Sequence, residues 1–346
     1  MHRALMAAGM VAVALCGGAM AQGGPATLPA AALDDFLHAD ISNGLVSAKV
    51  YLPVEKGLYR GTRFDHAGVV NHITYKGQDY GQYWFDRFTT DPFDNTDYGR
   101  GVEHACCATS GPVEEYDQVG FDDAGMEGRF LKIGVGILKR DTQAYDHART
   151  YPILNAGKRT TKATATSVRF TQDIGGDPSG YGYSYAKTVR LVPGKPQLII
   201  EDVLRNTGSK PIVTTVYNHN FLSLSPGNEN LRISAPFNLI AEKPLQPELA
   251  RVDGKTLRYV APVPSCQTVT SPVSGFGSAA TDYDFRIENT ATGFGIRMRA
   301  DQPIAQINFW SVHTTLGWEP YIAIALKPGE EKRWTYTYDY FAKGEQ

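Results

Sequence analysis

Two short motifs place residues capable of proton transfer between strand-like segments of the chain. The first, Thr214–Leu224, reads T-T-V-Y-N-H-N-F-L-S-L and sets Asn218, His219 and Asn220 between β-branched residues and a second apolar run. Because imidazole titrates near neutral pH, a histidine in this position either is hydrogen-bonded for structural reasons or handles protons in a cleft. From residue types alone, the structural role is favoured.

The second motif surrounds Glu319 in the sequence L-G-W-E-P. Pro320 restrains the residue before it to an extended conformation, and a strand rich in Ile and Ala follows. A carboxylate flanked by Trp318 and Tyr321 would be partly desolvated, which raises its pKa and makes it a better base near neutrality. The alternative is an edge carboxylate that pairs with a nearby arginine.

Other polar residues could support these two. Arg63 and Asp65 lie two residues apart in R-G-T-R-F-D, so on one face of an extended strand they could pair or jointly contact hydroxyls. The segment 80–101 is rich in aromatic and acidic residues, which is typical of an ordered surface loop or a sugar-binding surface. The sequence contains no G-x-S-x-G elbow, phosphate-binding glycine loop or metal-ligand spacing, which favours acid/base chemistry without cofactor or metal.

The first 21 residues have the pattern of a secretory signal. Arg3 precedes an apolar run over residues 4–15, and A-M-A at 19–21 provides a small-residue cleavage site. The run is too short to span a bilayer as a mature helix, and the bulky Leu15 before Cys16 disfavours a lipoprotein signal. We therefore expect an exported protein, periplasmic or secreted, with no membrane association after cleavage and a flexible lead-in at residues 22–38.

Net charge and cysteine content limit the classes of binding partner and the disulfides that we expect. The formal net charge of −2 over 346 residues gives no excess of positive charge of the kind that binds nucleic acid or an anionic membrane. The mature chain keeps Cys106, Cys107 and Cys266. Because adjacent cysteines rarely bridge each other, an oxidising compartment favours a disulfide from Cys266 to either Cys106 or Cys107, which leaves one thiol. A zinc site is not expected.

The remaining chain consists of short strand patterns separated by glycine and proline turns. Thr164–Phe170, Tyr181–Leu191 and Gln197–Leu204 form a meander, Phe130–Leu138 is predicted as one strand, and similar runs continue to the C-terminus. No apolar pattern with the helical period extends beyond about two turns. The sequence therefore predicts one all-β domain over residues 39–346, built as a large antiparallel sandwich.

Both motifs resemble those of a known enzyme family. Y-N-H-N-F-L-S-L resembles the Asn-His-x-Tyr-Phe-Asn-Leu motif of aldose 1-epimerases, the galactose mutarotases. G-W-E-P, followed by a strand, K-P-G-E and a last strand, resembles that family's general-base segment, and the resemblance spans most of residues 40–341. It implies a β-supersandwich in which His219 protonates the sugar ring oxygen and Glu319 takes the proton of the C1 hydroxyl.

The same resemblance implies a set of substrate contacts. T-D-Y-D-F is similar to the segment whose aspartate contacts sugar hydroxyls, which points to Asp284. Arg63 and His104 stand where the family has a substrate arginine and a second histidine, although the family's usual patterns around those two residues are absent here. We also expect Asn218 and Trp318, beside the two catalytic residues, to contact substrate.

The predicted function is anomer interconversion by acid/base ring opening, with a sugar or oligosaccharide as ligand. Two alternatives remain open because one fold can carry several activities. One is an exported polysaccharide lyase or glycosidase, in which Tyr217, Asn218 and His219 would act with Arg63. The other is a carbohydrate-binding protein without catalytic activity.

Overall fold

The computed structural model describes residues 35–81, 110–264 and 267–345, together with the backbone at 97–99 and 103–104. Several sequence predictions lie outside these residues: the signal segment 1–21, most of the lead-in, most of the aromatic segment 80–101, and Cys106, Cys107 and Cys266. Within the described residues, regular structure is β-strand apart from short 3₁₀ turns at Pro226–Asn228 and Ala280–Asp282. None of their helices has the length and hydropathy needed to cross a membrane.

The strands are numbered in chain order. They are β1 His38–Ser42, β2 Val46–Tyr51, β3 Val69–Tyr75, β4 Gln78–Asp79, β5 Asp97–Gly99, β6 Glu103–His104, β7 Val113–Tyr116, β8 Arg129–Lys132, β9 Gly136–Lys139, β10 Ile153–Asn155, β11 Lys158–Ala163, β12 Ser167–Ile174, β13 Tyr183–Leu191, β14 Gln197–Asn206, β15 Ile212–His219, β16 Leu231–Ser234, β17 Ile240–Ala241, β18 Ala250–Asp253, β19 Thr256–Tyr259, β20 Val269–Ser274, β21 Asp284–Asn289, β22 Gly295–Ala300, β23 Gln306–Ser311, β24 Leu316–Leu326 and β25 Glu331–Phe341.

Two large antiparallel sheets form the sandwich. A ten-stranded sheet has the order β11-β12-β13-β14-β25-β22-β21-β16-β19-β18, and a six-stranded sheet has the order β17-β20-β23-β24-β15-β7. Smaller sheets, β1–β4, β8–β10 and the pair β5–β6, flank them. The inner faces of the large sheets share one core, in which Trp318 of β24 contacts Phe285 of β21 with ring centroids 5.3 Å apart. The predicted all-β antiparallel sandwich is confirmed.

Alternation of buried and exposed residues explains the long strands. Along β13 every second residue is buried, because successive side chains in a strand point to opposite faces. The prediction of a single strand over Phe130–Leu138 is wrong, because this segment forms the hairpin of β8 and β9. Its turn contains Gly134 at φ +77°, where an added Cβ would lie 2.4 Å from a carboxylate oxygen of Asp65. Only glycine fits such a turn.

A cluster of charged side chains lies inside the sandwich. The Tyr185 hydroxyl lies 3.0 Å from carboxylate oxygens of Asp65 and Glu114 and 2.9 Å from one of Asp202. The ammonium of Lys187 contacts Glu114 at 2.8 Å and Asp65 at 3.4 Å. All four charged side chains are at most 1% exposed. Burial, followed by the nearby charge of Glu114, raises the pKa of Asp202 well above its usual range, although the charge of Lys187 opposes the shift.

Candidate active site

The register of two neighbouring strands brings His219 and Glu319 together. β15 and β24 pair from Ile212–Leu326 to Val216–Ile322, and the same register returns at the isolated bridge between Leu222 and Leu316. His219 therefore lies directly opposite Glu319, in a stretch where the two strands form no ladder. Both side chains project from the outer face of the six-stranded sheet, away from the core between the sheets.

Glycine in the G-W-E-P motif leaves room for this contact. A Cβ at Gly317 would lie 2.7 Å from a carboxylate oxygen of Glu319 and 3.0 Å from Cε1 of His219. Any larger residue would therefore push the two side chains apart or displace the strand. The close contact between His219 and Glu319 therefore requires glycine at position 317 for steric reasons, whatever its backbone conformation.

The two side chains form a buried pair. His219 Nε2 lies 3.1 Å from Glu319 Oε1, and the residues are 4% and 3% exposed. The other carboxylate oxygen accepts a hydrogen bond of 3.0 Å from Asn308 Nδ2 on β23. Phe221 stacks on the imidazole with ring centroids 3.5 Å apart, and Phe64 contacts its edge. These contacts fix both the imidazole plane and the carboxylate.

Electrostatics favour a neutral pair that carries one proton. Burial raises the pKa of Glu319 to about 7, although the hydrogen bond from Asn308 and the charge of Arg63 oppose the shift. Burial, together with the positive charge of Arg63 and the proximity of His147, lowers the pKa of His219 well below its ordinary value. Two groups in contact titrate as a unit, so the proton present near neutrality belongs to the pair.

A second set of polar residues lies beside the pair. Arg63 Nε donates to Glu115 Oε2 at 2.7 Å, and the Tyr217 hydroxyl donates to the same oxygen at 2.5 Å. Lys132 lies 3.6 Å from the other oxygen of Glu115. Burial alone would raise the pKa of Glu115, but the charges of Arg63 and Lys132 and the Tyr217 hydrogen bond lower it to about 2. Glu115 is therefore an anion that holds Arg63 in place.

Comparison with solved structures identifies the fold. The galactose mutarotase related enzyme from Lactobacillus acidophilus is similar over 90% of this chain and 99% of its own, with a TM-score of 0.52 and 10% identity. The aldose epimerase homologue from C. elegans covers 89% of this chain and 99% of its own, with a TM-score of 0.52 and 13% identity. The chain has the galactose mutarotase-like fold. No protein-family model and no curated protein sequence matches it.

Within this mutarotase-like fold, two of the expected substrate contacts point into the core. Trp318 precedes Glu319 on β24 and therefore faces the opposite way, fully buried against Phe285. Asn218 precedes His219 and lies opposite Glu114, on the side of the sheet that faces the interior charge cluster. Both polar atoms of its amide are buried without a partner in the described part of the chain. These two residues line the interior of the sandwich rather than the candidate site.

The remaining predicted site residues do not all lie beside the His219–Glu319 pair. Asp284 lies on the outer face of the ten-stranded sheet and forms an ion pair with Arg297, whose Nε is 2.7 Å from the carboxylate. Among the predicted substrate residues whose side chains the structure describes, Arg63 alone lies beside the pair. It pairs with Glu115, because the carboxylate of Asp65 points inward to Lys187. The side chain of His104, in β6, lies outside the described residues.

The sequence motifs did not identify Glu115, which accepts a hydrogen bond from Arg63, or Asn308, which donates one to Glu319. The pattern V-E-E-Y of β7 carries the available signal, since adjacent carboxylates in one strand must face opposite sides. Glu114 enters the interior cluster, and Glu115 enters the site. Asn308 lies directly opposite Glu319 in the ladder of β23 and β24, a pairing that only the register reveals.

Asp284→Asn should leave the anomer exchange that the sequence resemblance implies unchanged, because Asp284 forms an ion pair with Arg297 on the outer face of the other sheet. The pair with Arg297 is partly exposed, so its loss should change the free energy of unfolding by less than about 1 kcal/mol. Urea unfolding and the rate of sugar anomer exchange measure the two quantities. A tenfold or larger loss of exchange rate in Asp284→Asn, at unchanged stability, would place Asp284 in the site after all.

Proposed function

We propose that this chain is an aldose 1-epimerase-type enzyme that interconverts the anomers of a sugar. The observation that carries the proposal is the buried His219–Glu319 pair on the outer face of the six-stranded sheet, in which imidazole and carboxylate lie 3.1 Å apart. Two positioned acid/base groups are sufficient for ring opening, with each contributing about 10²–10⁴-fold in rate. The mutarotase-like fold supports the sugar as ligand class.

In the proposed reaction, the sugar replaces the direct contact between the two side chains. Glu319 takes the proton of the C1 hydroxyl while His219 delivers a proton to the ring oxygen, and the bond between C1 and the ring oxygen breaks. Rotation about C1–C2 and the reverse transfers close the ring as the other anomer. The pair carries one proton before and after, so the neutral resting pair and the ionised reactive pair have the same proton count.

Arg63 would face the substrate beside this pair. Glu115 and Tyr217 fix its guanidinium, and its positive charge would favour the developing negative charge on the C1 oxygen. The lyase alternative, in which Tyr217 or His219 would act as the base beside Arg63, receives less support for Tyr217 as that base. The Tyr217 hydroxyl is hydrogen-bonded to the anionic Glu115, and burial raises its pKa well above the ordinary value.

Anomer exchange of freshly dissolved aldoses, followed by polarimetry or by saturation transfer in proton NMR, tests the proposal. The protein should accelerate exchange above the spontaneous rate for at least one common aldose. Binding of an aldose without any acceleration would instead select the carbohydrate-binding alternative. Growth of unsaturated-product absorbance on uronic-acid polymers would select the lyase.

The exchange rate should fall as the pH rises through about 7. The reactive pair carries one proton, and burial places the loss of that proton near the pKa of about 7 for Glu319. Above this pH, kcat/KM should decline by about tenfold per pH unit, since it follows the fraction of free enzyme in the reactive state. The rate is measured from about pH 5 to about pH 9, with the spontaneous rate subtracted at each point. A constant kcat/KM up to pH 9 would contradict the assignment of the titrating pair.

A further inference from the structure

A row of arginines crosses the outer face of the ten-stranded sheet near its β18 edge. Arg232 of β16 lies directly opposite Arg258 of β19, which lies directly opposite Arg251 of β18. All three side chains are exposed. Their neighbours along the strands, such as Leu231 and Leu257, point into the core, so the arginines point to the outer face. Like charges placed opposite each other destabilise a sheet, so this row needs a compensating partner.

The surrounding carboxylates compensate the row only in part. Glu288 lies opposite Arg232 and accepts hydrogen bonds from both Arg232 and Arg286. Arg251 donates to the backbone oxygen of Pro247, which is a neutral group. Arg258 forms no ion pair within the described residues. Its guanidinium therefore has donors available for an external anion.

A cavity of about 330 Å³ opens beside this guanidinium. Its polar lining consists of Arg232 and Arg258 with Glu229, Asn230 and Thr290. The rim is fixed, since the backbone N–H and the hydroxyl of Thr290 donate to the backbone oxygen of Asn230 at 2.8 and 3.0 Å. The volume lies within the range of about 300–1,000 Å³ that is usual for small-molecule sites.

We propose that this cavity is a second binding site, which takes a uronate sugar. The planar guanidinium of Arg258 matches a carboxylate in two parallel hydrogen bonds. The carboxylate of Glu229 and the amide of Asn230 supply acceptors and a donor for sugar hydroxyls. Glu229 also disfavours inorganic phosphate, because its carboxylate repels the higher negative charge of that anion more strongly than the single charge of a uronate. The site is on the other sheet from His219, so it does not depend on the proposed reaction.

Calorimetry on the whole protein at low ionic strength tests the site. The probes are free glucuronate, short oligogalacturonates, glucose and inorganic phosphate. We expect a uronate to bind at least about tenfold more tightly than glucose, because its carboxylate forms charge-assisted hydrogen bonds, and more tightly than phosphate, because Glu229 repels the higher charge of phosphate. Binding of both uronate probes indicates a site for a single unit, and binding of the oligomer alone indicates a site for a chain.

Matched variants locate the binding. Arg258→Gln should weaken uronate binding at least about tenfold, Arg258→Lys less so, and Arg169→Gln, an exposed arginine elsewhere on the same sheet, should leave it unchanged. His219→Ala should bind uronate as the wild type does, and Arg258→Gln should keep its anomer exchange rate. Absence of saturable binding, equal affinity for phosphate, or unchanged binding in Arg258→Gln would overturn the proposal.

Discussion

Glu319→Gln is expected to slow anomer exchange by about 10²–10⁴-fold. The carboxamide has nearly the same shape and can still accept the hydrogen bond from Asn308, but it cannot take the proton of the C1 hydroxyl. His219→Ala should cause a loss of similar size, since it removes the group that is proposed to protonate the ring oxygen. Single-turnover or saturation-transfer NMR measures the exchange rate under identical sugar concentrations.

Two controls separate this loss from unfolding or loss of binding. Glu201→Gln removes a half-exposed carboxylate that pairs with Arg190 on the ten-stranded sheet and should keep the wild-type rate. Sugar affinity, measured by calorimetry, should change much less than the rate in Glu319→Gln. Exchange rates within about twofold of wild type in both His219→Ala and Glu319→Gln would exclude the mechanism.

The sequence was sufficient to predict the architecture and to single out His219 and Glu319, the two residues that the structure brings into contact in the candidate site. Alternating burial is a local property of each strand, and His219 and Glu319 each carry a local motif. Nearness in sequence was misleading for Asn218 and Trp318. Neighbouring residues in a strand point to opposite faces, so the residues next to His219 and Glu319 face away from the candidate site, and strand periodicity alone argues against both.

The partners of the central residues could not be predicted in the same way. Glu115 meets Arg63 across 52 positions of the chain, and Asn308 meets Glu319 through the register of β23 and β24. The V-E-E-Y pattern indicates that Glu114 and Glu115 face opposite sides of β7, but it does not say which groups either one meets. Such contacts depend on which strands are neighbours, and a strand pattern does not specify its neighbour.

The interior charge cluster makes Lys187 the residue whose loss should cost the most stability. Its ammonium is the cation that the structure places between Glu114 and Asp65, and the cluster is shielded from solvent. Lys187→Met keeps most of the side-chain volume but leaves the carboxylates without their counter-ion. Breaking a buried ion pair in this way costs about 3–5 kcal/mol, which urea unfolding at pH 7 would measure.

The pH dependence of that loss distinguishes charge from packing. The charge of Lys187 lowers the pKa of Asp202 against the opposing effects of burial and Glu114, so without the ammonium the folded variant binds protons more tightly and becomes relatively less stable as the pH rises. The deficit of Lys187→Met should therefore shrink at acidic pH, and a second change, Glu114→Gln, should restore part of it at pH 7. The exposed Lys162→Met should stay within about 0.5 kcal/mol of wild type. A loss of stability that is the same at acidic and neutral pH would mean that Lys187 stabilises the fold through packing, and that the charge of its ammonium does not contribute.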